Sequence, residues 1–82
     1  MKTTYRLEIT AVCPLDKKAD VYRCEVQASR TILVEDILAA VKTATKRPAY
    51  QEEICTDLHR ELACRVILIG LHSGVETEVV CG

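Results

Sequence analysis

The chain has no tryptophan and no phenylalanine, and only three tyrosines among its 82 residues. Large aromatic side chains supply much of the buried area in most cores. Here the core must come from Val, Ile, Leu, Ala and Cys, and in so short a chain that core is thin. Self-association is the simplest added stabiliser. An excess of one charge is also missing, since 11 Lys+Arg stand against 12 Asp+Glu. A surface built to neutralise phosphates is excluded, and no nucleic-acid partner is expected. No apolar run approaches the ~20 residues that cross a bilayer, and no charged-then-apolar leader opens the chain. Neither a membrane partner nor secretion is expected. Only three glycines occur, at Gly70, Gly74 and Gly82. They form no phosphate-cradling loop, and no nucleophile-elbow, zinc-protease or Walker pattern is present.

What is present is an ordinary globular balance, 49% apolar and 28% charged, in a length that holds one domain, residues 1–82. Five cysteines are there: Cys13, Cys24, Cys55, Cys64 and Cys81. The count is odd and no pair has CxxC spacing. Free, mostly buried thiols in a reducing cytoplasm fit this pattern.

Tyr5, Leu7, Ile9, Ala11 and Cys13 alternate with polar residues, the period of a half-buried strand. Pro14 ends it. A polar connection, residues 15–19, leads to a second alternating run through Tyr22, Cys24, Val26 and Ala28. A hairpin would set Cys13 and Asp20 at facing ends of one loop. From Val34 the period becomes helical, with Val34, Ile37, Leu38, Val41 and Ala44 or Thr45 on one stripe. Pro48 ends that helix or opens the next. Ile54, Cys55, Leu58 and Leu62 make a second stripe, with Glu52 and Glu53 in its first turn. Residues 66–71 are apolar on both faces, as in a central strand. Ser73-Gly74 is a two-residue hairpin signal, and Val75, Thr77, Val79 and Cys81 form the last alternation. The order β-β-α-α-β-β predicts an α+β domain. It has one antiparallel four-stranded sheet with two helices on one face. Two strand edges stay open, and pairing between subunits would close them.

Several residues could carry chemistry. Cys13, before a proline and beside a polar loop, is a candidate nucleophile, and Asp20 a candidate acid or base. The alternative is that Cys13 packs and Asp20 is a turn residue. Glu52 and Glu53 suit a helix N-terminus, which accounts for at least one of them. A carboxylate in a cleft could also accept two hydrogen bonds from a guanine-like edge. His72, at a strand end, is a candidate proton carrier or a polar end residue. His59 is expected on the surface. Cys13, His72 and Cys81 lack short ligand spacing, and no metal is expected.

These residues resemble a known family. Cys13-Pro14-Leu15-Asp16-Lys17-Lys18-Ala19-Asp20 is similar to the Cys-Pro-x-Thr-x-Gln-Pro-Asp loop of the QueF-like nitrile reductases of queuosine biosynthesis. Arg47-Pro48-Ala49-Tyr50-Gln51-Glu52-Glu53 resembles the Gln-Glu segment of GTP cyclohydrolase I. Ile69-Gly70-Leu71-His72 is similar to that enzyme's third-strand histidine region. Both enzymes are tunnelling-fold proteins. The resemblance implies a β-β-α-α-β-β unit assembled into a homo-oligomeric barrel. It also implies Cys13 attacking a nitrile, Asp20 as acid, and Glu52 anchoring the heterocycle. Departures bear on cofactors. The stretch tied to NADPH reads Val34-Glu35-Asp36-Ile37-Leu38 here. Gln51 replaces the reductase histidine. A zinc-ligand histidine is missing, and Gly74 stands where a ligand cysteine would be. The cofactor stays open between NADPH and none, and zinc is not expected. Three readings follow: a purine, 7-deazapurine or pterin enzyme; a heterocycle-binding module without chemistry; and an interaction domain pairing through its sheet edge.

Overall fold

The computed structural model describes residues 1–82. Period-two alternation builds the first hairpin. Strand β1 (Thr3–Val12) pairs antiparallel with β2 (Ala19–Ala28), in register from Thr3↔Ala28 to Val12↔Ala19. Ile9 and Ala11 are buried, while Arg6, Glu8 and Thr10 face solvent. The first strand ends one residue before Cys13, which opens the connection of residues 13–18. Cys13 still belongs to that hairpin. Its amide donates to the Lys18 carbonyl at 2.9 Å, and its carbonyl accepts from the Lys17 amide at 3.0 Å. Lys17 adopts a left-handed φ of 62° to make that turn.

Two helices follow, α1 (Val34–Ala44) and α2 (Gln51–Leu62). The chain then returns as β3 (Arg65–His72) and β4 (Val75–Cys81). The sheet order is β1-β2-β3-β4 with every pair antiparallel, so β3 is central and β1 and β4 are its edges. Ser73 and Gly74 have φ of 51° and 82°. Two positive values in succession make the type I′ turn whose twist matches paired strands. One apolar cluster joins Ile9, Tyr22 and Val26 of the first hairpin to Ile54 and Leu58 of α2 and to Val66 and Leu68 of β3. No helix is long and apolar enough to cross a membrane.

Three expectations are corrected. The buried stripe of α1 is Ile37, Ala40 and Ala44, whereas Val34 and Leu38 are each 54% exposed. The helix turns its small residues toward α2, which lets the two backbones approach closely. Lys46, Arg47 and Pro48 lie in the link between the helices rather than inside either. His59 is half-buried, not a surface residue. Its Nδ1 sits 2.6 Å from the Cys64 carbonyl, where the chain leaves α2 through left-handed Ala63. The five thiols are all free: Cys24, Cys55 and Cys64 are buried, and Cys13 and Cys81 are half-buried.

Candidate functional site

The connection after β1, the start of α2 and the end of β3 meet in one concavity of about 210 Å³. Cys13, Asp20, Glu52 and His72 line it, with Tyr22, Tyr50, Gln51 and Thr77. Strand register explains half of this. Asp20 pairs with Ala11, so its side chain shares the helix-covered face, and Cys13 follows two residues after Ala11. A tertiary bond supplies the rest, because the Ala49 amide donates to the Val12 carbonyl at 3.1 Å. That bond holds the lead-in of α2 against the end of β1.

Each side chain has a distinct support. The Tyr22 hydroxyl donates to Asp20 Oδ2 at 3.4 Å. Burial, reinforced by the Asp20 charge, pushes Tyr22 up to about 12, so it remains a protonated donor at neutral pH. The Lys18 amide donates to Asp16 Oδ1 at 3.0 Å. That bond holds the Asp16 carboxyl below its ordinary range, with the Cys13 thiol a smaller contributor. Glu52 is exposed at the rim, in the first turn of α2, a position that suits a carboxylate side chain. Glu53 points elsewhere. Its Oε1 accepts from the Tyr50 amide at 2.8 Å, the return half of a capping box, and it does not line the concavity.

Gln51 is the residue that reading by sequence did not place at the centre. It is the one buried polar side chain of the domain. Its Nε2 donates to the Leu68 carbonyl at 2.8 Å and the Thr77 carbonyl at 3.0 Å. Its Oε1 accepts from Thr77 Oγ1 at 2.7 Å and lies 3.3 Å from His72 Nε2. One amide thus ties α2 to β3 and β4 and touches the histidine. Its signals in the chain were its place in the Gln-Glu segment of the resemblance and a glutamine at the first position of an apolar-striped helix. Tyr22 was legible only as a core position of its strand. Its ring stands 6.0 Å from that of His72, tilted by 54°. Gly70 makes room for it, since a methyl group there would fall 2.6 Å from two Tyr22 ring carbons.

Cys13, His72 and Cys81 do not come together. His72 pairs with Val75 at one end of the last hairpin, and Cys81 pairs with Val66 at the other. Six strand residues separate the two ends, about 20 Å. No group of three His, Cys, Asp or Glu side chains is arranged to hold a metal. The segment that the resemblance ties to NADPH enters α1 with Glu35 and Asp36 in its first turn. Two carboxylates do not fit a phosphate-bearing dinucleotide.

Chemically, the concavity offers one thiol, one carboxyl held by a phenol, one imidazole and a rim carboxylate. That set can add a nucleophile to an electrophilic carbon and move a proton. No family model and no curated protein matches the chain. Among solved structures it is similar to "Crystal structure of the archaeosine synthase QueF-Like in the apo form". The two share 22% identity and a TM-score of 0.86, over 98% of this chain and 90% of that one. The β-β-α-α-β-β architecture described above is therefore the fold of that QueF-like structure.

Proposed function

We propose that this domain binds a guanine-like heterocycle, a purine, 7-deazapurine or pterin, and attacks 7-cyano-7-deazaguanine or a related compound through Cys13. The observation that carries this reading is the convergence of Cys13, Asp20, Glu52 and His72, from three separate segments, on one concavity. Its volume lies below the ~300–1,000 Å³ of drug-sized ligand sites, which suits a bicyclic base better than a nucleotide. Glu52 accepts two hydrogen bonds from the ring N–H and the exocyclic amine. A charge-assisted pair of that kind discriminates against bases lacking either donor. Cys13 supplies the nucleophile and Asp20 the proton.

Calorimetric titration with 7-cyano-7-deazaguanine, guanine and a pterin tests the site. At least one binds saturably, and Glu52→Ala weakens it by roughly tenfold to a hundredfold, the loss of one charge-assisted pair at about 1.5–3 kcal/mol. Binding unchanged in the variant removes Glu52 as anchor. No binding of any of the three overturns the reading. Binding without reaction at Cys13 leaves the second reading, a heterocycle-binding module.

We also infer that the domain works as a homo-oligomer in the cytoplasm. Strands β1 and β4 each carry one unpaired edge. The sheet face away from the helices exposes Val21, Leu71 and Val80 among charged residues. Open edges of this kind are ordinarily paired or blunted. Sedimentation equilibrium should give a multiple of the 9.1 kDa chain mass. A monomer at micromolar concentration would remove the assembly and favour a domain that pairs its edge with another protein.

A further inference from the structure

The orientation of the Gln51 amide is fixed by chemistry. Its Nε2 faces two backbone carbonyls, Leu68 and Thr77, and carbonyl oxygens only accept. Reversing the amide would set three oxygens against one another. Its Oε1 therefore faces Thr77 Oγ1 and His72 Nε2. The Thr77 hydroxyl has one proton, and its shortest bond, 2.7 Å, runs to that oxygen. His72 Nε2, 3.3 Å from the same oxygen, is compatible only with a nitrogen that carries hydrogen. An unprotonated Nε2 would place two lone pairs face to face. Packing holds the ring there. Tyr22 stands beside it at 6.0 Å between centroids, and a side-chain carbon added at Gly70 would fall 3.4 Å from Nε2, so the ring borders the space that Gly70 leaves.

We infer that Gln51 is a positioning residue that holds neutral His72 as the Nε2–H tautomer and leaves Nδ1 as its basic nitrogen. The functional meaning rests on the concavity being the heterocycle site. His72 has then spent its single donor inside the protein. Toward a ligand it can accept a hydrogen bond or take a proton at Nδ1, and it cannot give one while neutral. Proton donation falls to Asp20, and the two residues have separate roles. This goes further than naming His72 as an assisting group, because it states which nitrogen acts and in which direction.

The domain contains its own control. His59 Nδ1 lies 2.6 Å from the Cys64 carbonyl, so His59 must be the opposite tautomer, Nδ1–H. Long-range proton–nitrogen correlation spectra of the ¹⁵N-labelled full chain, taken above the titration of both rings, distinguish the two forms. His72 should show a protonated Nε2 and an unprotonated Nδ1, and His59 the reverse. Thr77→Val should leave the His72 pattern unchanged, because both carbonyls still hold the amide. Gln51→Leu should convert it to an exchange-averaged pattern. An Nδ1–H or averaged His72 in the wild type overturns the inference, as does an unchanged pattern in a folded Gln51→Leu. If that variant does not fold, the wild-type and Thr77→Val spectra still decide. Titration of the same sample with 7-cyano-7-deazaguanine, guanine and the pterin separates the two ideas. Ligand binding with an Nδ1–H His72 defeats the tautomer alone, and an Nε2–H His72 with no binding defeats the functional reading alone.

Discussion

Incubation with 7-cyano-7-deazaguanine is expected to add the full mass of the nitrile to the wild-type chain and nothing to Cys13→Ala. The balance of the step sets that mass. The S–H of Cys13 adds across the carbon–nitrogen triple bond. A sulfur–carbon bond forms, one π bond breaks, and the thiol proton reaches the nitrile nitrogen by way of Asp20. No atom leaves, so the thioimide retains every atom of both reactants. Intact-protein mass spectrometry reads the result directly. Four other thiols could confuse it, but Cys24, Cys55 and Cys64 are buried. Cys81 is the only other half-buried thiol, at the far end of β4 from His72. Equal labelling of the wild type and Cys13→Ala would place the reaction on Cys81 and sink Cys13 as the nucleophile. Asp20→Asn should keep the heterocycle but slow adduct formation by about 10²–10⁴-fold, the usual worth of a positioned acid. A rate unchanged in that variant would assign the proton to solvent.

The elements of this fold are legible in the chain because each is written in local chemistry. Alternation through Tyr5–Ala11 and Tyr22–Ala28 marks the first hairpin, and the positive-φ pair Ser73-Gly74 marks the second. The face of α1 is not legible. Val34 and Leu38 are larger than Ala40 and Ala44, so periodicity alone ranks them as core. Burial instead follows the approach of α2, and small residues permit that approach. The same limit applies to the site. The spacing of Cys13 and Asp20 predicts one hairpin loop, because the two residues flank the connection between paired strands. That the start of α2 and the end of β3 reach the same loop depends on the Ala49–Val12 bond and on Gln51. Both are long-range contacts, and neither carries a local signal. Glu52 and Glu53 show how fine the distinction is. Adjacent in sequence and alike in helix preference, one lines the concavity and the other turns back to the Tyr50 amide.

The thin, aromatic-poor core has a second consequence, a steep loss of stability in alkali. Three acidic groups are buried within it. Burial, with Glu25 nearby, pushes the Cys24 thiol up to about 11. Burial and the adjoining Cys81 thiol push Cys55 up to about 12. Burial and the Asp20 charge raise Tyr22 to about 12. Unfolding returns each group to its ordinary value, 9.0 for the thiols and 10.0 for the phenol. The unfolded chain therefore releases these protons first, while the folded chain still holds them. Between those values the unfolded state binds fewer protons, so stability falls as pH rises. The contribution is complete below about pH 9, declines from there, and is gone above about pH 12. Thermal melts taken through this range should show a melting temperature that is level to pH 9 and then drops. Cys24→Ala and Cys55→Ala should each flatten the drop, although each lowers the melting temperature at neutral pH through the cavity it leaves. A melting temperature that stays level to pH 11, or a drop equally steep in both variants, would show that these thiols titrate alike in the folded and unfolded chains. Tyr22 links this to the site. A ligand that covers Asp20 removes a charge from solvent beside the phenol and should shift the alkaline limb more in the wild type than in Tyr22→Phe. Core stability and the concavity are thus read by one pH experiment, because Tyr22 belongs to both.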